Sequence, residues 1–468
     1  MLNCYIAKLL KNNIRKLVSR KLDITMQQYN NRTILHVDLN SFFATSEQQA
    51  NPYLRGKPVG IIKARGRTCV IAASVQAKKF GVRTGTTTYE AKKLCPAIIL
   101  VEADFDKYAD ITYRFIKICK TYSPLCEVFS LDECFIDVTE SEKFFPRLPR
   151  KPNLEESTWM EMGKSLRGVA DGGNVFNIAF EIKDRLRAEI GDYMTCSIGV
   201  SYNKLLAKLA GEQIKPDGLF WITDDNAIAV LDKSELMDVC GIGWGLSGHL
   251  RKLGIGSFPQ LRSKSLAFLH KHFGPWWSVH LYNTARGIDG SSVNSFLSLE
   301  EAKSVGRTYT THRNLYKKEE VRRLMRNLCE EAAAKARAMN LAGRYVGVVL
   351  RGGEESRYGH FTLKEYIDDG KKFFDLCLQI TREWTLPYVR FCGVTLGMLT
   401  KSEHLTTPLF PGELRRRKLV AALDAINNRF GDYTIYPSQL LGTSIIRPEV
   451  NGYFGDRKFR LQNFLRNQ

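Results

Sequence analysis

The sequence contains no uninterrupted apolar run near the 18 or so residues that a membrane-crossing helix needs, so nothing in it points to an integral membrane protein. It has no Cys-x-x-Cys pair and no histidines at zinc-finger spacing, and its 11 cysteines lie scattered over 468 residues. An odd, dispersed set in a long chain excludes a disulfide framework and reads as reduced thiols in a cytoplasmic protein. No fixed period recurs, which argues against a solenoid. Acids are scarce beside bases: 49 Asp and Glu against 69 Lys and Arg, a formal net charge of +20. Such a field attracts polyanions, and nucleic acid is the commonest of them.

What is present is a globular composition, 44% hydrophobic, in a chain long enough for two to four domains. Residues 1–32 are basic, with Asp23 the only acid, and match neither a secretory signal nor a clean membrane anchor. From 34 to 139, β-rich runs such as "TILHVDL", "PVGIIKA" and "CFIDV" alternate with helical stretches such as "DITYRFIKICKTYSP", an α+β pattern. Residues 140–175 mix Pro, Gly and both charges and read as an insertion. A helix ("VFNIAFEIKDRLRAEIG"), a strand ("MTCSIGVS") and a second helix ("NKLLAKLAGEQI") follow, then glycine-broken short helices over 223–290 and another α/β unit over about 303–400.

Two stretches carry chemistry. In "ILHVDLNSFFAT" the acid Asp38 ends a buried strand, and in "EVFSLDECFIDV" the acids Asp132 and Glu133 sit at a hairpin bend. Three carboxylates brought together raise one another's pKa unless a cation joins them. Magnesium takes oxygen ligands, and two such ions stabilise the attacking and leaving oxygens of phosphoryl transfer. Taken alone, Asp38 reads equally as a turn cap and 132–133 as a solvated hairpin.

In order, "DLNSFFA", "AKKFGVRTG", "SLDECFID", "GVSYNKLLAKLA", "KPDG" and "CGIGWGLSGHLRKLGI" resemble the Y-family translesion DNA polymerases of the DinB/UmuC group, over about 34–400. The resemblance implies a right-hand polymerase: a palm (33–41 and 105–222), small fingers (42–104), a helical thumb with a helix-hairpin-helix (223–290), a linker (291–302) and an α/β little finger (303–400), before a C-terminal tail (401–468). It implies that Asp38, Asp132, Glu133 and the Leu39 carbonyl hold two Mg2+ ions, and that Phe43 is a steric gate against ribose, with Phe42 in the core. Lys78 and Lys215 occupy positions that meet the triphosphate of the incoming dNTP. Where the family commonly has Tyr and Arg, this chain has Val75 and Lys78, and where it often has a second acid, this chain has Asn40. Lysine is a point charge where Arg would be a fork.

Gly241 and Gly243 precede a helix whose N-terminus would meet a DNA phosphate, and Arg307 and Arg313 open the little finger as a second grip on primer-template DNA. "TTPLFPGE", with Leu409 and Phe410, partly resembles the peptide by which bacterial polymerases bind the sliding clamp. Lesion bypass through an open site without proofreading follows from the same resemblance. Two rival readings compete: an inactive DNA- or clamp-binding adaptor of the same fold, and a metal-dependent nuclease using the same acids. The complete acid set and the gate disfavour the first. The helix-hairpin-helix and Phe43 disfavour the second.

Overall fold

The computed structural model of the chain describes residues 31–63, 68–145, 173–295, 302–405, 410–442 and 446. The N-terminal extension to residue 30 and most of the expected insertion, 146–172, lie outside them. The chain divides into two compact units with the boundary at Ser298 and Leu299.

The first unit runs β1 (Ile34–Leu39), α1 (Phe42–Ala50), β2 (Val59–Ile62), β3 (Val70–Ala73), α2 (Val75–Lys79), α3 (Thr88–Leu94), β4 (Ile99–Glu102), α4 (Phe105–Lys120), β5 (Cys126–Val128), β6 (Glu133–Asp137), α5 (Gly173–Glu189), β7 (Cys196–Ser201), α6 (Lys204–Gln213) and β8 (Leu219–Trp221). Its main sheet has the order β5-β6-β1-β7-β8, which puts β1 at the centre. Strand parity then sorts β1 by face. Leu35, Val37 and Leu39 join Tyr108 and Phe115 of α4 and Ile178 and Ile182 of α5 in the largest core cluster. Each such fully buried side chain contributes about 1.5–3 kcal/mol. His36 and Asp38 point the other way, toward α6.

Helix α6 packs on the sheet unusually closely. A Cβ at Gly199 of β7 would lie 2.1 Å from the Ala207 carbonyl oxygen and 2.2 Å from the Gly211 nitrogen, so the contact exists only because Gly199 lacks a side chain. A smaller sheet, β3-β2-β4, carries α2 and α3. Thr87 and Glu90 cap α3 reciprocally.

Helices α7 (Ala227–Lys233), α8 (Trp244–Lys252), α9 (Phe258–Arg262) and α10 (Leu266–Thr284) enclose a separate core around Leu250, Phe258 and Leu281. Helix α10 bends at Gly274, whose φ of 76° takes the chain into a region glycine tolerates, just before Pro275. Asn203 ties this bundle to the end of β7 by donating to the Gly287 carbonyl at 2.9 Å.

The second unit contains β9 (Ser304–Leu315), α11 (Lys318–Ala338), β10 (Leu341–Gly352), β11 (Glu355–Ile367), α12 (Gly370–Thr381), β12 (Val389–Lys401) and α13 (Pro411–Phe430). The strands form an antiparallel sheet in the order β11-β10-β12-β9. Val346, Val348, Val394 and Leu396 form a core with Leu328, Cys329 and Ala332 of α11 and Phe373 and Cys377 of α12. No residue of α13 is buried. It is attached instead by Arg337, which donates to both Asp424 carboxylate oxygens at 2.6 and 2.7 Å, and by Arg416 to Asp369. The described cysteines are all free thiols, as their scatter implies.

Candidate active site

The pairing of β1 with β6 sets Asp38 directly opposite Glu133. Cross-strand partners share a face, as do residues two apart on a strand, so His36, Asp38 and Glu133 converge. One ligand atom from each lies within 4.8 Å of the others. Asp132 sits in the bend just before β6, where its carbonyl accepts from the Leu39 N–H at 2.8 Å and its carboxylate accepts from the Ser130 hydroxyl. Sequence distance has been closed by a hairpin and a central strand. Asp38, Leu39, Phe43, Lys78, Asp132 and Lys215 all line a cleft of about 600 Å³, and Glu133 sits beside it without lining it.

The electrostatics differ from acid to acid. Burial lifts Asp38 to about 6, with Asp132 and Glu133 adding to the rise and Lys215 opposing it from 3.2 Å. Burial also raises Asp132, against the Ser130 hydrogen bond. Glu133 goes the other way: burial would raise it, but the His36 hydrogen bond at 2.8 Å and the Lys208 ammonium hold it down at about 2. The Lys215 ammonium is withdrawn from water too, yet Asp38 and Glu212 keep its pKa above the ordinary value. Lys78 is lowered by burial and then by the charge of Lys215. A buried set of acids shared among Lys215, Lys208 and His36 is a site fitted to take up cations or an anionic substrate with them.

Phe42 is buried in the core and Phe43 is half-buried; both line the cleft, and Phe43 stacks on the buried Tyr108 ring, 4.4 Å away with an interplanar angle of 14°. Tyr108 is itself fixed, its hydroxyl donating to Glu47 at 2.8 Å. The wall behind Phe43 is therefore rigid.

Two residues at the site were not singled out from the sequence: His36 and Lys208. His36 was readable, since it shares a strand face with Asp38. Lys208 had no local signal, because its meeting with Glu133 depends on how α6 crosses the sheet.

Among the expected DNA contacts, Gly241 adopts a φ of 101°, and a Cβ there would lie 3.2 Å from the His280 ring. Gly243 caps α8 without any side-chain cap, leaving its first-turn N–H groups available. Arg313 is exposed and pairs with Glu320 at 2.6 Å. Arg307 is a correction: its side chain is 9% exposed and its Nε lies 2.7 Å from Glu331 of α11, so it faces the helix layer and is withdrawn from the DNA-contact set. Val305 and Arg307 are both buried while Ser304 and Gly306 are exposed, the alternation that aims Arg307 inward. Phe410 is 70% exposed, and Leu409 lies outside the described residues.

The sequence matches the impB/mucB/samB family over residues 37–212, that family's C-terminal domain over 302–409, and the DNA polymerase-iota thumb domain over 237–289. It is 33% identical over 407 residues to DNA polymerase IV of Pelotomaculum thermopropionicum, covering 86% of this chain and 94% of that one. With DNA polymerase IV of Moorella thermoacetica it shares 32% identity over 425 residues, 88% of this chain and 98% of that one. In three dimensions it resembles a solved Y-family DNA polymerase chimera, Dbh-Dpo4(243-245)-Dbh, with a TM-score of 0.63 at 23% identity, over 79% of this chain and 99% of the chimera. Sheets, helical bundle and appended α/β unit are the palm, fingers, thumb and little finger of the right-hand fold, and the chain belongs to the Y family of DNA polymerases.

Proposed function

We propose that this polymerase adds deoxynucleotides to a primer 3′-end by phosphoryl transfer at the β1–β6 cleft, with Asp38, Asp132, Glu133 and the Leu39 carbonyl as the ligands of two magnesium ions. The observation that carries the proposal is Asp38 paired across the sheet with Glu133, with Asp132 at the adjacent bend. The ligand set suits a hard cation: its members are carboxylate and carbonyl oxygens, and the one nearby imidazole nitrogen is engaged with Glu133. When bound, such ions neutralise the developing charge and orient the attacking and leaving oxygens.

The chain's own residues supply the rest. Lys215 and Lys78 offer positive charge along one side of the cleft, where a triphosphate would lie. Phe43, backed by Tyr108, stands where a 2′-hydroxyl would collide with it. The N-terminus of α8, with Gly241 and Gly243, would take a backbone phosphate, and Arg313 a second. Lesion bypass, a cytoplasmic location and docking of the Phe410 segment on a sliding clamp belong to the same reading. Among the described residues, no helix is long and apolar enough to cross a membrane.

Templated primer extension tests the assignment. Wild type extends with dNTPs and magnesium, and Phe43→Ala admits ribonucleotides. If Asp132→Ala and Glu133→Ala extend as well as wild type, the metal assignment is wrong. DNA shortened without added dNTPs would instead favour a nuclease.

A further inference from the structure

Asn40 stands two residues beyond Asp38, just past the end of β1, and it is 5% exposed. Its carboxamide makes three hydrogen bonds. Nδ2 donates to the Ser197 hydroxyl at 2.9 Å, and Oδ1 accepts from the Thr195 hydroxyl at 3.1 Å and from the Asp217 backbone N–H at 2.8 Å. The backbone of Asn40 is equally committed, its N–H donating to the Thr195 carbonyl at 2.9 Å and its carbonyl accepting from the Thr45 hydroxyl at 2.7 Å. A side chain locked on three partners cannot swing.

The third partner matters most. Asp217 lies two residues after Lys215, in a turn where its φ of 57° is left-handed. From the far side, Lys183 of α5 donates to the Asp217 carbonyl and carboxylate, and Arg187 pairs with the same carboxylate. The turn is thus gripped between α5 and Asn40. Lys215, at its head, reaches Asp38 and Glu212. Asn40 therefore joins two parts of the site in one short span: the strand end that bears Asp38 and the loop that bears Lys215.

We propose that Asn40 is a positioning residue, a carboxamide latch that fixes the Lys215 loop against the β1–β7 strand ends so that the ammonium meets the incoming triphosphate in register. The proposal rests on the reading of Lys215 as a triphosphate contact. An acceptor is essential at position 40, because without one the Asp217 N–H is left unpaired in a part-buried turn. A misplacement of about 1 Å is enough to cost much of a positioned group's effect.

The test is a double-mutant cycle on the full chain, measuring kcat, KM for dNTP and Kd for primer-template with Asn40→Ala, Lys215→Ala and both together. Asn40→Ala is expected to lower kcat/KM for dNTP about tenfold, chiefly through KM, with primer-template Kd unchanged. In the Lys215→Ala background the same change should alter kcat/KM less than about twofold. Asn40→Asp, which keeps an acceptor for the Asp217 N–H, should recover all but about threefold of the loss. Should Asn40→Ala fold poorly, Ser197→Ala frees the amide while leaving Asn40 in place, and a smaller loss of the same kind, absent in Lys215→Ala, is expected.

Losses that multiply in the double mutant, or an Asn40→Asp enzyme as impaired as Asn40→Ala, would overturn the latch while leaving the Lys215 contact standing. Unchanged dNTP KM in Lys215→Ala alone would overturn the contact itself, and the latch with it.

Discussion

Charges are withdrawn from water in two places, the cleft of the first unit and the sheet–helix interface of the second, and they are balanced very differently. At the interface, Arg307 and Glu331, 9% and 11% exposed, form an ion pair. In the cleft, three carboxylates share Lys215 and Lys208, and the outcome is uneven: Asp38 rises to about 6 while Glu133 falls to about 2. A matched pair fixes a helix on a sheet. A mismatched set is left with affinity for something absent, which is the electrostatic mark of a working site.

Activity should break this symmetry most sharply. Asp132→Ala or Glu133→Ala is expected to reduce primer extension on the order of a thousandfold or more, since metal-borne charge stabilisation is lost. Arg307→Met, measured per folded molecule, should stay within about twofold of wild type, because it removes a buried pair and no substrate contact.

Stability should invert the ranking. Arg307→Met removes the guanidinium from the buried Glu331 and should cost about 3 kcal/mol by denaturant unfolding. Asp38→Asn should do the opposite in metal-free protein. The folded pKa of about 6 lies above the ordinary 3.8, so holding Asp38 ionised costs the folded state up to about 3 kcal/mol above pH 6, and almost nothing below about pH 3, where both states are protonated. The asparagine variant is therefore more stable at pH 7, and the gain is gone at about pH 3. Glu133→Gln should show the contrary sign, since a carboxylate held at about 2 contributes stability at neutral pH that is lost only as pH falls through that value. Equal responses at Asp38 and Glu133 would mean that the two acids feel one environment. Smallest of all, Arg416→Ala at the part-exposed pair with Asp369 should cost about 0.5 kcal/mol.

Much of the cleft could be read in the linear text. The hairpin bend at Asp132 and the strand end at Asp38 both follow from local pattern. Arg307 was misassigned although its signal was present, since it alternates in phase with the buried Val305. Other features had no local trace. Strand β11 is exposed along almost its whole length, so no two-residue alternation marks it. The unit from 303 to 400 therefore reads with fewer strands than it has, and α12 was missed alongside. Helix α13 was legible as a helix, but its polar attachment to the second unit depends on Asp369 and Arg337, residues from distant segments. Lys208 shows the same limit: a helix crossing fixes its partner, and no spacing rule foretells it.

The bare contact between Gly199 and Gly211 reaches further than its size suggests. Helix α6 carries Lys208 against Glu133 along its length and Glu212 against Lys215 at its end, so one counterion and an acid that steadies the other rest on one seat. That seat has no slack. A single methyl added to strand residue 199 would press on the helix backbone and loosen Lys208 from Glu133, while the Lys215 loop stays tied to α5 and Asn40.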